Sequence, residues 1–108
     1  MKKYAYMIWG KPYNYQPEKD CHSFSTPYQT TSIVTVNSFD EAVEKANALI
    51  DDGYGTLELC GAFGKENADK LIEATGGRAA IGYVHYEPEQ KKKVEAYFAD
   101  FGIAPQDE

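Results

Sequence analysis

Cysteine, histidine, tryptophan and positive charge are all scarce in this chain. Its 108 residues hold two cysteines, two histidines and one tryptophan, with 11 basic residues against 17 acidic ones. Two thiols cannot staple a disulfide framework, and a domain of this length builds its own core. Cys21 and Cys60 are therefore expected to be free in a reducing, cytoplasmic setting. A formal charge of -6, with no basic run longer than Lys91-Lys92-Lys93, argues against a phosphate-backbone partner, so nucleic-acid binding is not expected. No segment approaches the roughly 20 apolar residues of a membrane span. The opening MKKYAYMIW sets lysines before an apolar run, but that run is short and no small-residue cleavage site follows. It reads as a first strand rather than a signal, and no membrane partner is expected.

Cys21, His22, Cys60 and His85 are the residue types of a tetrahedral zinc site. Adjacent Cys21-His22 is not the C-x2-C knuckle, however, and neither a metal nor another cofactor is expected.

What is present is globular usage, 43% hydrophobic and 26% charged, in one domain spanning residues 1–108. KYAYMIW (Lys3 to Trp9) predicts a strand, closed by Gly10. A long irregular loop over about residues 10–31 follows, rich in proline and tyrosine. SIVTVNS predicts the second strand. Ser38 followed three residues later by Glu41 is a capping box. The helix it starts, about Phe39 to Asp52, repeats Ala42, Val43, Ala46, Leu49 and Ile50 at helical spacing and stops at Gly53. TLELC predicts a third strand, GAFG the turn into a helix carried by Ala68, Leu71 and Ile72, and AAIGYVHY a fourth strand. Pro88 opens a last helix with Val94, Phe98 and Phe101 on its apolar side, ahead of Gly102.

The expected fold is α/β, a mainly parallel four-stranded sheet in β-β-α-β-α-β-α order. If the last three strands lie side by side in chain order, right-handed crossovers put both intervening helices on one sheet face. The other face then needs cover, from the long loop or from a second subunit, and a homodimer is expected.

The unusual residues gather at the strand ends, where open parallel sheets bind ligands. A period of two puts Glu58 and Cys60 on one face of their strand, and Tyr83 and His85 share a face of theirs. Glu58, Cys60 and His85 are the candidate catalytic groups: carboxylate or imidazole as acid or base, thiol as nucleophile. Each has a plainer reading, namely a solvent-facing or ion-paired carboxylate, a small buried thiol, and a hydrogen-bonded histidine. The amides of Gly61, Ala62, Phe63 and Gly64 at a helix start suit an anionic group, although the glycines also serve a simple tight turn. Trp9 and Tyr83, with loop tyrosines, are candidate pocket walls.

Glu58-Leu59-Cys60-Gly61 with Phe63-Gly64, after a helix ending in D-x-G, resembles the pattern of an uncharacterised family of short bacterial proteins grouped as a domain of unknown function. The likeness runs from about Ser38 to Tyr86. It implies a compact α/β domain and brings no activity. The favoured functional reading is a small polar or anionic metabolite bound at the carboxyl edge of the sheet. The alternatives are a small enzyme using Glu58 and His85, with Cys60, on a carbonyl compound, and a protein–protein interaction module.

Overall fold

β1 (Lys2–Trp9) alternates inward Ala5 and Met7, both fully buried, with outward Tyr4, Tyr6 and Ile8, and it becomes the hub of the sheet. The computed structural model describes residues 1–10 and 13–99. Lys11, the expected Phe101 and Gly102, and the final residues lie outside that range. β1 pairs in parallel with β3 (Gln29–Val36) on one side and β4 (Thr56–Leu59) on the other, and β4 pairs in parallel with β5 (Ala80–Tyr83).

The sheet has five strands, not four, in the order β2-β3-β1-β4-β5. The additional strand, β2 (His22–Ser25), lies inside the segment expected to be irregular and runs antiparallel to β3. Four exposed residues, HSFS, carry no apolar alternation that a sequence could display. β2 is held instead by its partner: Ser23 meets the Ser32 hydroxyl at 2.6 Å, Ser25 meets that of Thr30 at 2.8 Å, and the Thr26 amide donates to the Gln29 carbonyl across the turn. The side-by-side order considered for the later strands is also corrected, because β1 separates β3 from β4. The two crossovers still run in the same direction across the sheet, so α1 (Phe39–Asp51) and α2 (Gly64–Ala74) pack beside each other on one face.

The Ser38 half of the capping box forms as expected, and the Glu41 half reaches one residue further back than the N-cap amide. Ser38 accepts the Glu41 amide at 3.1 Å, while the Glu41 carboxylate reaches back to the Asn37 amide at 3.0 Å. Gly53, at φ +98°, ends α1 in the left-handed region that glycine enters without penalty. Ala42 and Ala46 of α1, and Ala68 and Leu71 of α2, close on Ala5, Met7, Val34, Val36, Leu57 and Leu59 of the sheet. α3 (Pro88–Phe98), with proline in its first turn, buries no residue fully, and its Phe98 ring lies 6.3 Å from that of Tyr13. Among the described residues no helix is long and apolar enough to cross a membrane.

Candidate functional site

At the carboxyl end of β4 the chain turns at Cys60, whose carbonyl accepts the Phe63 amide at 3.1 Å. In a regular parallel ladder that carbonyl would take the amide of Trp9, since the Cys60 amide already donates to the Met7 carbonyl. The thiol replaces it. Cys60 Sγ accepts the Trp9 N–H at 3.3 Å and stands 3.8 Å from the Trp9 carbonyl, positioned to donate S–H to it. Burial pushes the thiol pKa up, outweighing the amides of Trp9, Ala62, Phe63 and Cys60 itself, which favour the thiolate. Of the amides expected to hold an anion, those of Ala62 and Phe63 thus already face the protein's own sulfur.

Phe63 is fully buried, its ring edge-on to Trp9 at 5.1 Å, and Gly64 is also buried at φ +70°. Neither presents a surface to a ligand. Gly61 and Ala62 are half-buried. Trp9 leaves its indole Nε1 buried without an acceptor among the described residues. Both cysteines are free, Cys21 exposed and Cys60 partly buried. Iodoacetamide labelling followed by peptide mass spectrometry is therefore expected to modify Cys21 at least tenfold faster than Cys60. Equal rates would mean that the Cys60 clamp opens readily.

Register separates the other candidates. Glu58 stands opposite Gly82, and Leu59 opposite Tyr83, so Tyr83 points to the helix-covered face and Glu58 to the open one. β5 ends at Tyr83, leaving His85 exposed beyond it with Nε2 3.9 Å from a Glu87 carboxylate oxygen. Carboxylate and imidazole do not converge.

What joins Glu58 is a pair of tyrosines from β1. Tyr4 donates its phenol hydrogen to Glu58 Oε1 at 2.5 Å, and Tyr6 sits directly across from Glu58 in the ladder. Partial burial, then the hydrogen bond to Glu58 and its charge, push the Tyr4 phenol up to about 12. Burial, then Cys60, Tyr86 and Glu58, push Tyr6 up as well. Tyr4 therefore stays protonated, as a donor, across the physiological range.

An unfolded tyrosine ionises near 10, so the stability this proton contributes is complete below that pH and is lost as pH rises toward about 12. Ultraviolet difference titration of the protein against Tyr4→Phe is expected to show one phenol ionising about two pH units late. Glu58→Gln should move it back toward 10. A Tyr4 transition already near 10 in the unaltered chain would remove the pairing.

Glu58 and Tyr4 also border an open groove of about 890 Å³ at the amino end of the sheet, with Lys2, Tyr28, Gln29 and Thr56 among its other walls. Sequence reasoning singled out Glu58 and the loop tyrosines but missed Lys2, Tyr4, Gln29 and Thr56. The available signal was the alternation Lys2, Tyr4, Tyr6 on one face of the first strand, but nothing local says that this face lies beside Glu58. Among the described residues no group of three or more His, Cys, Asp or Glu side chains could hold a metal.

Fold and site together define a small single-domain α/β protein whose mixed sheet is layered with α1 and α2 on one face. The chain belongs to the family of unknown function DUF6506, whose model matches residues 2–99. No curated protein and no solved structure matches it.

Proposed function

We propose that this protein binds a small polar molecule in the groove at the amino end of its sheet, with the Glu58 carboxylate as anchor. The carrying observation is the Tyr4–Glu58 hydrogen bond. It fixes one carboxylate oxygen and leaves the other, on an exposed side chain, without a protein donor among the described residues. A pre-positioned acceptor of this kind suits a ligand hydroxyl or amine. Lys2, in the same groove, has no carboxylate partner among the described residues, so an acidic group on the ligand has a cation to meet. Tyr28, 82% exposed, supplies an aromatic wall. The groove volume lies within the range of small-molecule sites.

This moves the reading away from the carboxyl edge, where Cys60 and Phe63 use the turn amides for the fold itself. A thiol held protonated and an imidazole on another part of the surface favour binding over nucleophilic catalysis. Two free thiols are in keeping with a cytoplasmic protein.

The test is an amide-resolved NMR titration with a panel of small hydroxy acids and amino acids. Shifts are expected at Lys2, Tyr4, Gln29, Thr56 and Glu58, and are lost in Glu58→Gln. Shifts confined to Cys60–Gly64, or binding untouched by Glu58→Gln, would overturn the assignment.

A further inference from the structure

We infer that the ligand of the groove is an amino acid, its ammonium group seated on Glu58 and its acidic group turned toward Lys2. The inference rests on the groove reading above and adds the class of molecule and its orientation.

Hydrogen-bond balance at the Glu58 end decides between an amine and a hydroxyl. Tyr4 has one hydroxyl hydrogen, and it goes to Glu58 Oε1. The phenol oxygen then has only lone pairs left to offer, and an ionised carboxylate accepts at both of its oxygens. A ligand hydroxyl brings one hydrogen and two lone pairs into this acceptor-rich corner, so its own lone pairs face those of the protein. An ammonium brings three hydrogens and no lone pair. Thr56, beside Tyr4 in the ladder, carries a hydroxyl that can turn to accept one of them. The rings of Tyr4 and Tyr28 in the same wall add a preference of the same sign, since an aromatic face attracts a cation.

The charges give the orientation. Three charged side chains border the groove: Lys2, Lys3 and Glu58. Lys3 is committed to the end of α1, its Nζ 2.8 Å from the Asp52 carbonyl, 3.4 Å from the Asp52 carboxylate and 5.5 Å from the centre of the Tyr54 ring. That leaves Lys2 and Glu58, which share the open face of the sheet without pairing with each other. Glu58 stands opposite Tyr6, four residues along β1 from Lys2, or about 13 Å at the rise of a strand. A molecule with an ammonium at one end and a carboxylate at the other bridges the two, the flexible lysine stem closing what remains of the gap. A diamine would set a cation against Lys2, and a dicarboxylate lacking an amine would set an anion against Glu58.

Calorimetric titration at neutral pH with matched probes tests this: alanine against lactate, phenylalanine against phenyllactate, and aspartate against malate. Within each pair only the ammonium is exchanged for a hydroxyl. At least one amino acid is expected to bind about tenfold tighter than its hydroxy acid, the ion pair and the rings each contributing a part. Glu58→Gln is expected to remove that preference, because a carboxamide is neutral and offers a hydrogen to a hydroxyl. Lys2→Gln should weaken the amino acid severalfold and leave the amine without the acidic group, phenethylamine for phenylalanine, unchanged. A hydroxy acid that binds as tightly and shifts the amides of Tyr4, Thr56 and Glu58 would overturn the amino-acid assignment and leave the groove reading standing. A preference that survives Glu58→Gln, or a Lys2→Gln effect equal for amine and amino acid, would overturn the seating of the two ends. Binding that shifts only residues outside the groove, or no binding by any probe at millimolar concentration, would overturn both readings.

Discussion

Phe63→Ala is expected to cost about 3–5 kcal/mol of folding stability, the range for truncating a fully buried aromatic ring. The ring has no exposed surface and contacts Trp9 edge-on at 5.1 Å, a geometry worth about 0.5–1.5 kcal/mol beyond its area. It also sits where three elements meet: β1 through Trp9, β4 through the Cys60 turn, and α2, whose first residue follows it and whose Asn67 donates to the Phe63 carbonyl at 2.9 Å. The residues around the cavity belong to different elements and cannot collapse together, which places the cost toward the upper part of the range. Against a total of about 5–15 kcal/mol for a domain, the variant is expected to be largely unfolded at moderate urea. Urea denaturation followed by circular dichroism measures it. A loss below about 1 kcal/mol would mean that the ring is not the keystone of this corner.

Cys60→Ala is expected to cost about 1–3 kcal/mol, with Cys60→Ser recovering much of the loss. Alanine removes the acceptor of the Trp9 amide and the donor that faces the Trp9 carbonyl, leaving two backbone groups of a part-buried strand end unpaired. Serine keeps both functions on a shorter arm. The comparison separates a hydrogen-bonding role from simple packing, because a packing role would make alanine the milder change at a site lined by apolar neighbours. An alanine midpoint equal to or above that of serine would show that the thiol is only filler. The rise in its pKa points the same way, since the protonated form is the one that can donate to Trp9.

The motif that looked most chemical, ELCGAFG, thus divides by residue. Cys60, Phe63 and Gly64 build the corner, while Glu58, two positions earlier, faces the open groove. That division was not legible in the chain, because a thiol beside glycines before a helix reads the same whether its amides hold a ligand or hold the sulfur. The capping box at Ser38 and Glu41, the glycine stop after α1 and the proline at the start of α3 were legible, because each depends on residues within one turn of one another. β2 was not. Its stability comes from β3, and HSFS carries no pattern of its own.

By itself the sequence determined the α/β class and the extents of α1 and α2, since helical periodicity and caps are local properties. The faces paired for Glu58 with Cys60 and for Tyr83 with His85 reach past the strands, because β4 ends at Leu59 and β5 at Tyr83. Tertiary structure alone decided that β1 lies between β3 and β4, which brings Tyr4 and Tyr6 beside Glu58. It also decided that Tyr83 shares a face with Leu59, turned away from that carboxylate. The physical reason is that register and strand order are set by which backbones pair across distant parts of the chain. A shift of one residue would exchange every face, and no short stretch of sequence carries that information.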